Sequence, residues 1–393
     1  MKTTHYVYFF ALLFVGIYVS AYDMYVSALP LLRHDFHVDV AQSQLTLTIF
    51  VIAGAFFSIP AGIIDDKLGH KNTISVFTAL IIIGTLLCQF APSIYFFYAG
   101  RILQGMAASG FYILAVSIPK DLLSGTEFVK AWQSLTLMFY IAPSVAGFVG
   151  GYIVYYGGWQ WVFNIVILLS LITLVCVLLL FHQDASHTNN HKKQPSFKRL
   201  WHVISNTKFL SYCYITAAAW GGMSVFYICT PYVVINTLGY STIVYGWLSF
   251  LLVISGAVGR WINMRWISHR LSYENNALIF AWIAILSGIL FLFTGLNHSF
   301  LSIYLMSFAS IIFGFSSAIV SVNASTIALI IFDKTYTAAV SAIYSLMVDF
   351  IVAASLVAAN LIFANLFTLS GIVLFFYITT VILITKYKQP ARV

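Results

Sequence analysis

Asp23, Arg101 and Asp349 stand in the interiors of long apolar segments, where a charge costs roughly 2.5–3.5 kcal/mol on insertion scales and usually marks a task. Asp23 falls in line with Gly16, Ser20, Ser27 and Pro30 at successive steps of four, three, four and three residues. In a helix that spacing makes one stripe. The stripe is expected to face a central cavity, where burial penalises the ionised carboxyl group and makes reversible protonation possible. A carboxyl group occupied in turn by a proton and by a second solute would couple two fluxes by competition. The alternative is a buried aspartate held by hydrogen bonds between helices. Arg101 keeps its charge and must find a carboxylate, carbonyl groups or water. Asp23 is its expected acidic partner, and Gln104, one turn on, shares its face. Asp349 lines up with Ser341 and Ser345 at four-residue steps, and reads equally as a second proton or cation site or as an acid facing a wet cavity.

The elements that must position these groups are read from composition. The chain has 393 residues, of which 61% are hydrophobic and 8% charged, against about a quarter charged in a soluble domain. Its mean hydropathy is +0.94. Long unbroken apolar runs select spanning helices, because a barrel would show alternating segments of about ten residues. The expected fold is an all-α integral membrane protein with twelve spans, at 6–30, 42–64, 73–91, 95–117, 130–154, 160–181, 208–236, 243–264, 275–295, 300–328, 337–360 and 366–385. An even number places both termini on one side. Of the 19 Lys and Arg residues, only Arg33 falls in an outer loop and only Arg101 well inside a span when that side is the cytoplasm. The net charge of +8 therefore encodes orientation, and no basic domain suited to nucleic acid exists. The first helix lacks a small-residue cleavage site and is expected to remain as an anchor. Cys88, Cys176, Cys213 and Cys229 sit singly within spans and read as packing residues, with no metal spacing. No cofactor is implied.

One long polar insert divides the spans six and six. The expected organisation is an N-terminal bundle, 1–181, a cytoplasmic linker, 182–207, and a C-terminal bundle, 208–393. Two six-helix halves suit the alternating-access transporters. In the linker, His187 and His191 read as part of a solvated tether. No Gly-x4-Gly-Lys-Ser/Thr loop occurs, no nucleophile–base pattern converges at one membrane face, and the linker is too short for an output domain. An enzyme or a receptor is therefore the remote reading.

Between the second and third spans runs Gly62-Ile-Ile-Asp-Asp66-Lys67-Leu-Gly69-His-Lys71. At that position the pattern resembles the signature loop of the major facilitator superfamily. Three further segments agree with it: Arg101-Ile-Leu-Gln104-Gly105, Ala142-Pro143-Ser-Val-Ala-Gly147-Phe-Val-Gly150-Gly151, and Asp23-Met-Tyr25-Val-Ser27-Ala-Leu29-Pro30. The last is close to the first-span motif of the Bcr/CflA-type drug:proton antiporters. Departures are Ser27 and Gly147, where prolines are common, and His70, where Arg or Lys is common. In the second half, Gly259-x3-Asn263-Met-Arg265 looks like a worn copy of the loop, with Asn in place of the acid.

The resemblance implies two pseudo-symmetric six-helix bundles and a proton-coupled exporter of a small amphipathic compound, such as a drug, metabolite or siderophore. A proton symporter importing a nutrient or an iron chelate keeps the same fold. It also implies a role for Arg101 beside the proton site, a monomer, and a bacterial inner membrane setting with lipid around it. Gly62, Asp66, Lys67, Gly69 and Lys71 then form a latch that opens and closes. Gly147 and Gly151, four residues apart, allow close helix approach, while Pro143 removes a backbone hydrogen bond. Tyr25, Tyr112, Trp220, Tyr227, Tyr232 and Tyr344, with Gln104, are the candidate walls of a substrate pocket, since adaptable pockets favour aromatic linings.

Overall fold

The computed structural model describes residues 2–123, 125–180, 197–296, 301–332, 336–362 and 365–387. Among them, eleven helices are long and apolar enough to cross a membrane. A further helix, α5 (Gly125–Gly157), occupies the place of the expected fifth span. Its side chains are described only in part.

The first span is not one helix. α1 (Lys2–Val19) passes into a π-helical turn, Ser20–Met24, then a 3-10 turn, Tyr25–Ala28, and resumes as α2 (Leu29–Asp35) with Pro30 in its first turn, where the missing N–H costs nothing. The second and third spans run together as α3 (Val40–Gln89). A capping box starts it: Gln42 N donates to Asp39 Oδ1 at 2.6 Å, and Asp39 N donates to Gln42 Oε1 at 3.1 Å. Gly69 breaks it at φ 74, ψ 158, a conformation that glycine alone adopts readily. α4 (Ile94–Leu122) and α6 (Gln160–Leu180) complete this half.

The end of the expected tether contains a short helix, α7 (Phe197–Ile204). It is anchored by His202, whose ring lies 5.9 Å from Phe332 and 5.4 Å from Tyr336. His187 and His191 lie outside the described residues. α8 (Thr207–Tyr232) starts on Asn206, whose side chain accepts from Phe209 N at 2.9 Å. α9 (Thr242–Ile262) ends in a π-helical turn, Asn263–Ile267, and α10 (Tyr273–Leu296), α11 (Leu301–Ile330), α12 (Thr337–Leu361) and α13 (Leu366–Tyr387) follow.

Contacts divide the chain into two compact units, 1–189 with 239–247, and 190–238 with 248–393. The first unit is held by the α3–α4 pair and by aromatic packing. Phe14 stacks on Phe111 at 5.4 Å, and Phe97, Trp159 and Phe163 form an edge-to-face cluster that Trp159 Nε1 ties to Asp35 Oδ2 at 2.7 Å. In the second unit Phe291 and Tyr377 flank Phe313, and Tyr377 OH donates to Ser317 Oγ at 2.6 Å. Large apolar side chains such as Phe56, Leu179, Phe350 and Leu361 stay exposed. Such a surface suits lipid as its solvent.

Candidate functional site: a buried arginine network beside an intramembrane carboxylate

Asp23 lies in the π-helical turn of the first span, 5% exposed. Inserted π turns recur at functional positions because they re-aim side chains that a regular helix would carry elsewhere. Ser20 and Ser27, expected on its stripe, are buried with it, and Ser27 Oγ donates to Met24 O at 3.1 Å. The turn makes the run from Gly16 to Pro30 something other than the straight stripe its spacing describes. No ion pair or side-chain hydrogen bond reaches the Asp23 carboxyl group among the described residues.

Arg101 is fully buried, and its hydrogen bonds go to neutral acceptors. Its Nε donates to Thr46 O at 3.2 Å, and Nη1 donates to Ala21 O at 2.8 Å and Gln104 Oε1 at 2.7 Å. The guanidinium carbon sits 4.3 Å from the Tyr25 ring centre and 4.5 Å from that of Phe50, a cation–π sandwich. Nη2 has no hydrogen-bond acceptor among the described residues. The expected partner, Asp23, makes no ion pair with it among the described residues; the main-chain carbonyl of Ala21, two residues before Asp23, accepts instead. Gln104 Nε2 continues the network to Thr85 Oγ1 at 2.9 Å, and Tyr25 OH meets Thr46 Oγ1 at 2.7 Å. Tyr25 and Gln104, expected in a pocket wall, are thus fully buried and build the bed of Arg101. Gly105 lets α4 approach this closely, since a Cβ there would collide with the Phe50 carbonyl. Thr46 and Thr85 were not singled out by sequence, since a lone threonine in an apolar span carries no signal of what it touches.

At the loop, the described acid is Asp65, one residue before the expected Asp66, whose side chain lies outside those described. Asp65 is buried; Oδ1 meets His70 Nδ1 at 2.9 Å and Oδ2 accepts from Ser117 Oγ at 2.8 Å. His70 Nε2 lies 3.2 Å from Asp121 Oδ2 at the end of α4. Burial pushes the His70 imidazolium towards its neutral form, and the hydrogen bonds and charges of Asp65 and Asp121 outweigh it, so its pKa is raised. Lys67 is exposed, Lys71 is half-buried, and Gly62 has open space where a side chain would go.

In α5, Pro143 stands inside the helix and Gly147 is buried. The tightest approach belongs to Gly150, where a Cβ would strike the Met24 carbonyl beside Asp23. Gly151 faces Thr242, whose Oγ1 donates to Gly151 O at 2.8 Å.

In the second unit Tyr227 and Tyr232 are buried, Tyr344 is partly buried and Trp220 is exposed; Tyr112, in the first unit, is also exposed. Arg260, placed by sequence with the loops, lies in the last turn of α9, 5.8 Å from the Trp220 ring centre and donating to Ser321 Oγ at 3.3 Å. Asp349 is exposed on α12 beside the exposed Ser345, without an ion pair among the described residues. Asn263, the counterpart of the loop acid, accepts from the Nδ2 atoms of Asn276 and Asn323.

Bilayer-length helices with a buried, hydrogen-bonded charge network define a multi-pass membrane protein rather than a soluble bundle. Residues 9–358 match the Major Facilitator Superfamily, and the chain belongs to it. It is 25% identical to an uncharacterized transporter of Rickettsia bellii over 65% of this chain and 63% of that protein. It is also 25% identical to a bicyclomycin resistance protein homolog of Haemophilus influenzae, over 70% of this chain and 69% of that one. The matched stretches thus span about two thirds of these relatives' length. The crystal structure of the nucleoside transporter NupG shares the fold at a TM-score of 0.77 and 13% identity, covering 99% of this chain and 100% of that one. The all-α major facilitator fold expected from sequence is therefore the fold of this protein, with the resemblance to drug:proton antiporters upheld by its relatives.

Proposed function

We propose that the protein is a proton-coupled secondary transporter that exports a small amphipathic compound by alternating access. The observation that carries this reading is the pairing of a buried carboxyl group without a cation, Asp23, with a buried arginine whose Nη2 has no acceptor, Arg101. A buried ionised carboxylate without a partner is strongly disfavoured. Protonation relieves the penalty in one state, and a move of Arg101 from the Ala21 carbonyl to the Asp23 carboxylate relieves it in another. Binding and release of a proton can then bias two arrangements of the first span against α4. Similarity to a bicyclomycin resistance protein homolog supports export of a drug-like compound.

In this reading the bundles 1–181 and 208–393 work about the linker 182–207 in the bacterial inner membrane. Both termini are cytoplasmic, a reading that the Lys and Arg distribution supports, and the working unit is a monomer. Tyr112, Trp220 and Tyr344 remain as substrate contacts, with Asp349 as a second ionisable group.

The test uses proteoliposomes carrying an internal pH-sensitive dye, challenged with a panel of drugs, dyes and siderophores. Substrate-driven proton movement is expected in the wild type and absent in Asp23→Asn that elutes as a folded monomer. Undiminished coupled transport in that variant removes Asp23 from the mechanism. Proton movement in the same direction as substrate would replace export with import.

A further inference from the structure

We propose that His70, clamped between Asp65 and Asp121, is a second proton-binding site, separate from Asp23, whose occupancy fastens the end of α4 to the break in α3.

Both ring nitrogens of His70 face a carboxylate, Asp65 at 2.9 Å and Asp121 at 3.2 Å. A neutral imidazole has one N–H and one lone pair, so one of the two carboxylates would meet a lone pair. Only the imidazolium donates to both. The proton is therefore the ligand that completes the cluster. It changes the net charge of the three groups from −2 to −1.

Local structure makes the arrangement specific. Residues five apart on a regular helix point to different faces, and the Gly69 break, at φ 74, turns His70 back on Asp65. Ser117 Oγ holds the other Asp65 oxygen at 2.8 Å, which leaves Oδ1 aimed at the ring. On the far side, Asp121 lies two residues after Pro119, which cannot donate a helical hydrogen bond. The last turn of α4 therefore joins the rest of its helix with one hydrogen bond fewer, at the Ala115 carbonyl, and His70 ties that turn to α3. Asp65, from the first arm of α3, and Asp121, from α4, are the charged groups facing the ring; Ser117 of α4 is the neutral one. Lys67 and Lys71 make no ion pair with either carboxylate among the described residues. Asp66 and Lys120 have side chains outside those described.

The consequence reaches the buried network because one helix carries both. Seventeen residues separate Asp121 from Gln104, about 25 Å of helix. A clamp at one end of α4 biases the helix that carries Arg101. The sign follows from the shift: burial lowers the affinity of His70 for a proton, and the two carboxylates raise it by more. The clamp is complete on the acid side and is lost as pH rises through the raised value. The dense Lys and Arg content of this face places it at the cytoplasm, so the site reads cytoplasmic pH. A permanently charged residue at position 70 would hold the clamp at every pH; histidine makes it conditional.

The test needs neither substrate nor transport, so its outcome is independent of the function proposed above. In nanodiscs containing protein with 13C-labelled histidine, the resonance lost in His70→Gln identifies His70. Its titration is expected above that of exposed histidines and about one pH unit lower in Asp121→Asn, a tenfold weaker proton affinity. Hydrogen exchange of segment 117–123, corrected for intrinsic rates, is expected to rise at least about fivefold across the same pH range. It should be fast at all pH in His70→Gln and slow at all pH in His70→Arg. An ordinary titration untouched by Asp121→Asn overturns the proposal. So does a His70→Arg protein whose exchange follows pH as the wild type does.

Discussion

The Arg101 guanidinium donates to the main-chain oxygen of Ala21 at 2.8 Å, two residues before Asp23, and makes no ion pair with the Asp23 carboxyl group. The first span is thereby tied to α4 through its backbone, at the π-helical turn where a carbonyl is free to leave the helix. A cation that holds the backbone next to an acid can later exchange one acceptor for the other with a small movement. The carboxyl group meanwhile stays available to a proton.

Arg101→Lys tests whether the guanidinium geometry matters. An ammonium cannot lie flat between Tyr25 and Phe50 or serve Thr46, Ala21 and Gln104 from one planar fork. Hydrogen bonds to charged groups contribute about 1.5–3 kcal/mol each in soluble proteins. The variant is expected to unfold several degrees lower in detergent and to lose at least about tenfold in coupled transport. Wild-type values in both assays would show that charge alone suffices.

Gly150→Ala and Gly62→Ala should behave oppositely. A methyl at position 150 meets the Met24 carbonyl, whereas position 62 has no atom within 4 Å of the added carbon. Overpacking costs typically about 1–3 kcal/mol, and here it would displace the turn that carries Asp23. Gly150→Ala is expected to lower both thermal stability and transport, and Gly62→Ala to leave both near wild type, read by fluorescence-detected size-exclusion after heating and by liposome flux. Equal behaviour of the two would contradict this account.

Tyr25→Phe and Trp220→Ala separate scaffold from pocket. Tyr25 is fully buried and bonded to Thr46 at 2.7 Å, while Trp220 is exposed. Loss of the Tyr25 hydroxyl should reduce stability by about 0.5–1.5 kcal/mol and lower all substrates alike. Trp220→Ala should instead change their relative rates. A substrate profile shifted by Tyr25→Phe and untouched by Trp220→Ala would reverse the assignment.

Apolar runs and the asymmetry of Lys and Arg made the spanning architecture legible, because bilayer thickness and charge orientation act on local sequence. Asp23 and Arg101 were legible for the same reason: a charge inside such a run stands out. What the charges touch was not. Tyr25 and Gln104 share the expected neighbourhood of Arg101, but spacing gives a face and not what packs on it, and the π-helical turn at Ser20 shifts that face. Asp65 was hidden by the motif register, which points to Asp66. Its partner Ser117 is 52 residues away, and only tertiary contact brings the two together. The short helix α7 escaped notice because its eight residues, although amphipathic, are fewer than the roughly 11–18 over which a helical period is read.

Asn263 shows how the second half replaces the loop acid. Its Oδ1 accepts from Asn276 Nδ2 and from Asn323 Nδ2, and the three amides are 6%, 0% and 1% exposed. The cluster joins the end of α9 to α10 and α11 without charge, so it cannot respond to pH as the His70 cluster does. Asn263→Leu keeps the volume and takes the acceptor from the buried Asn276 Nδ2, while Asn323 Nδ2 keeps its bond to Ile319 O at 2.8 Å; an unsatisfied buried group costs about 1–3 kcal/mol. The variant is expected to lose thermal stability by several degrees at every pH from 5 to 9, with the His70 titration unchanged. A pH-dependent loss would mean that the two clusters are coupled.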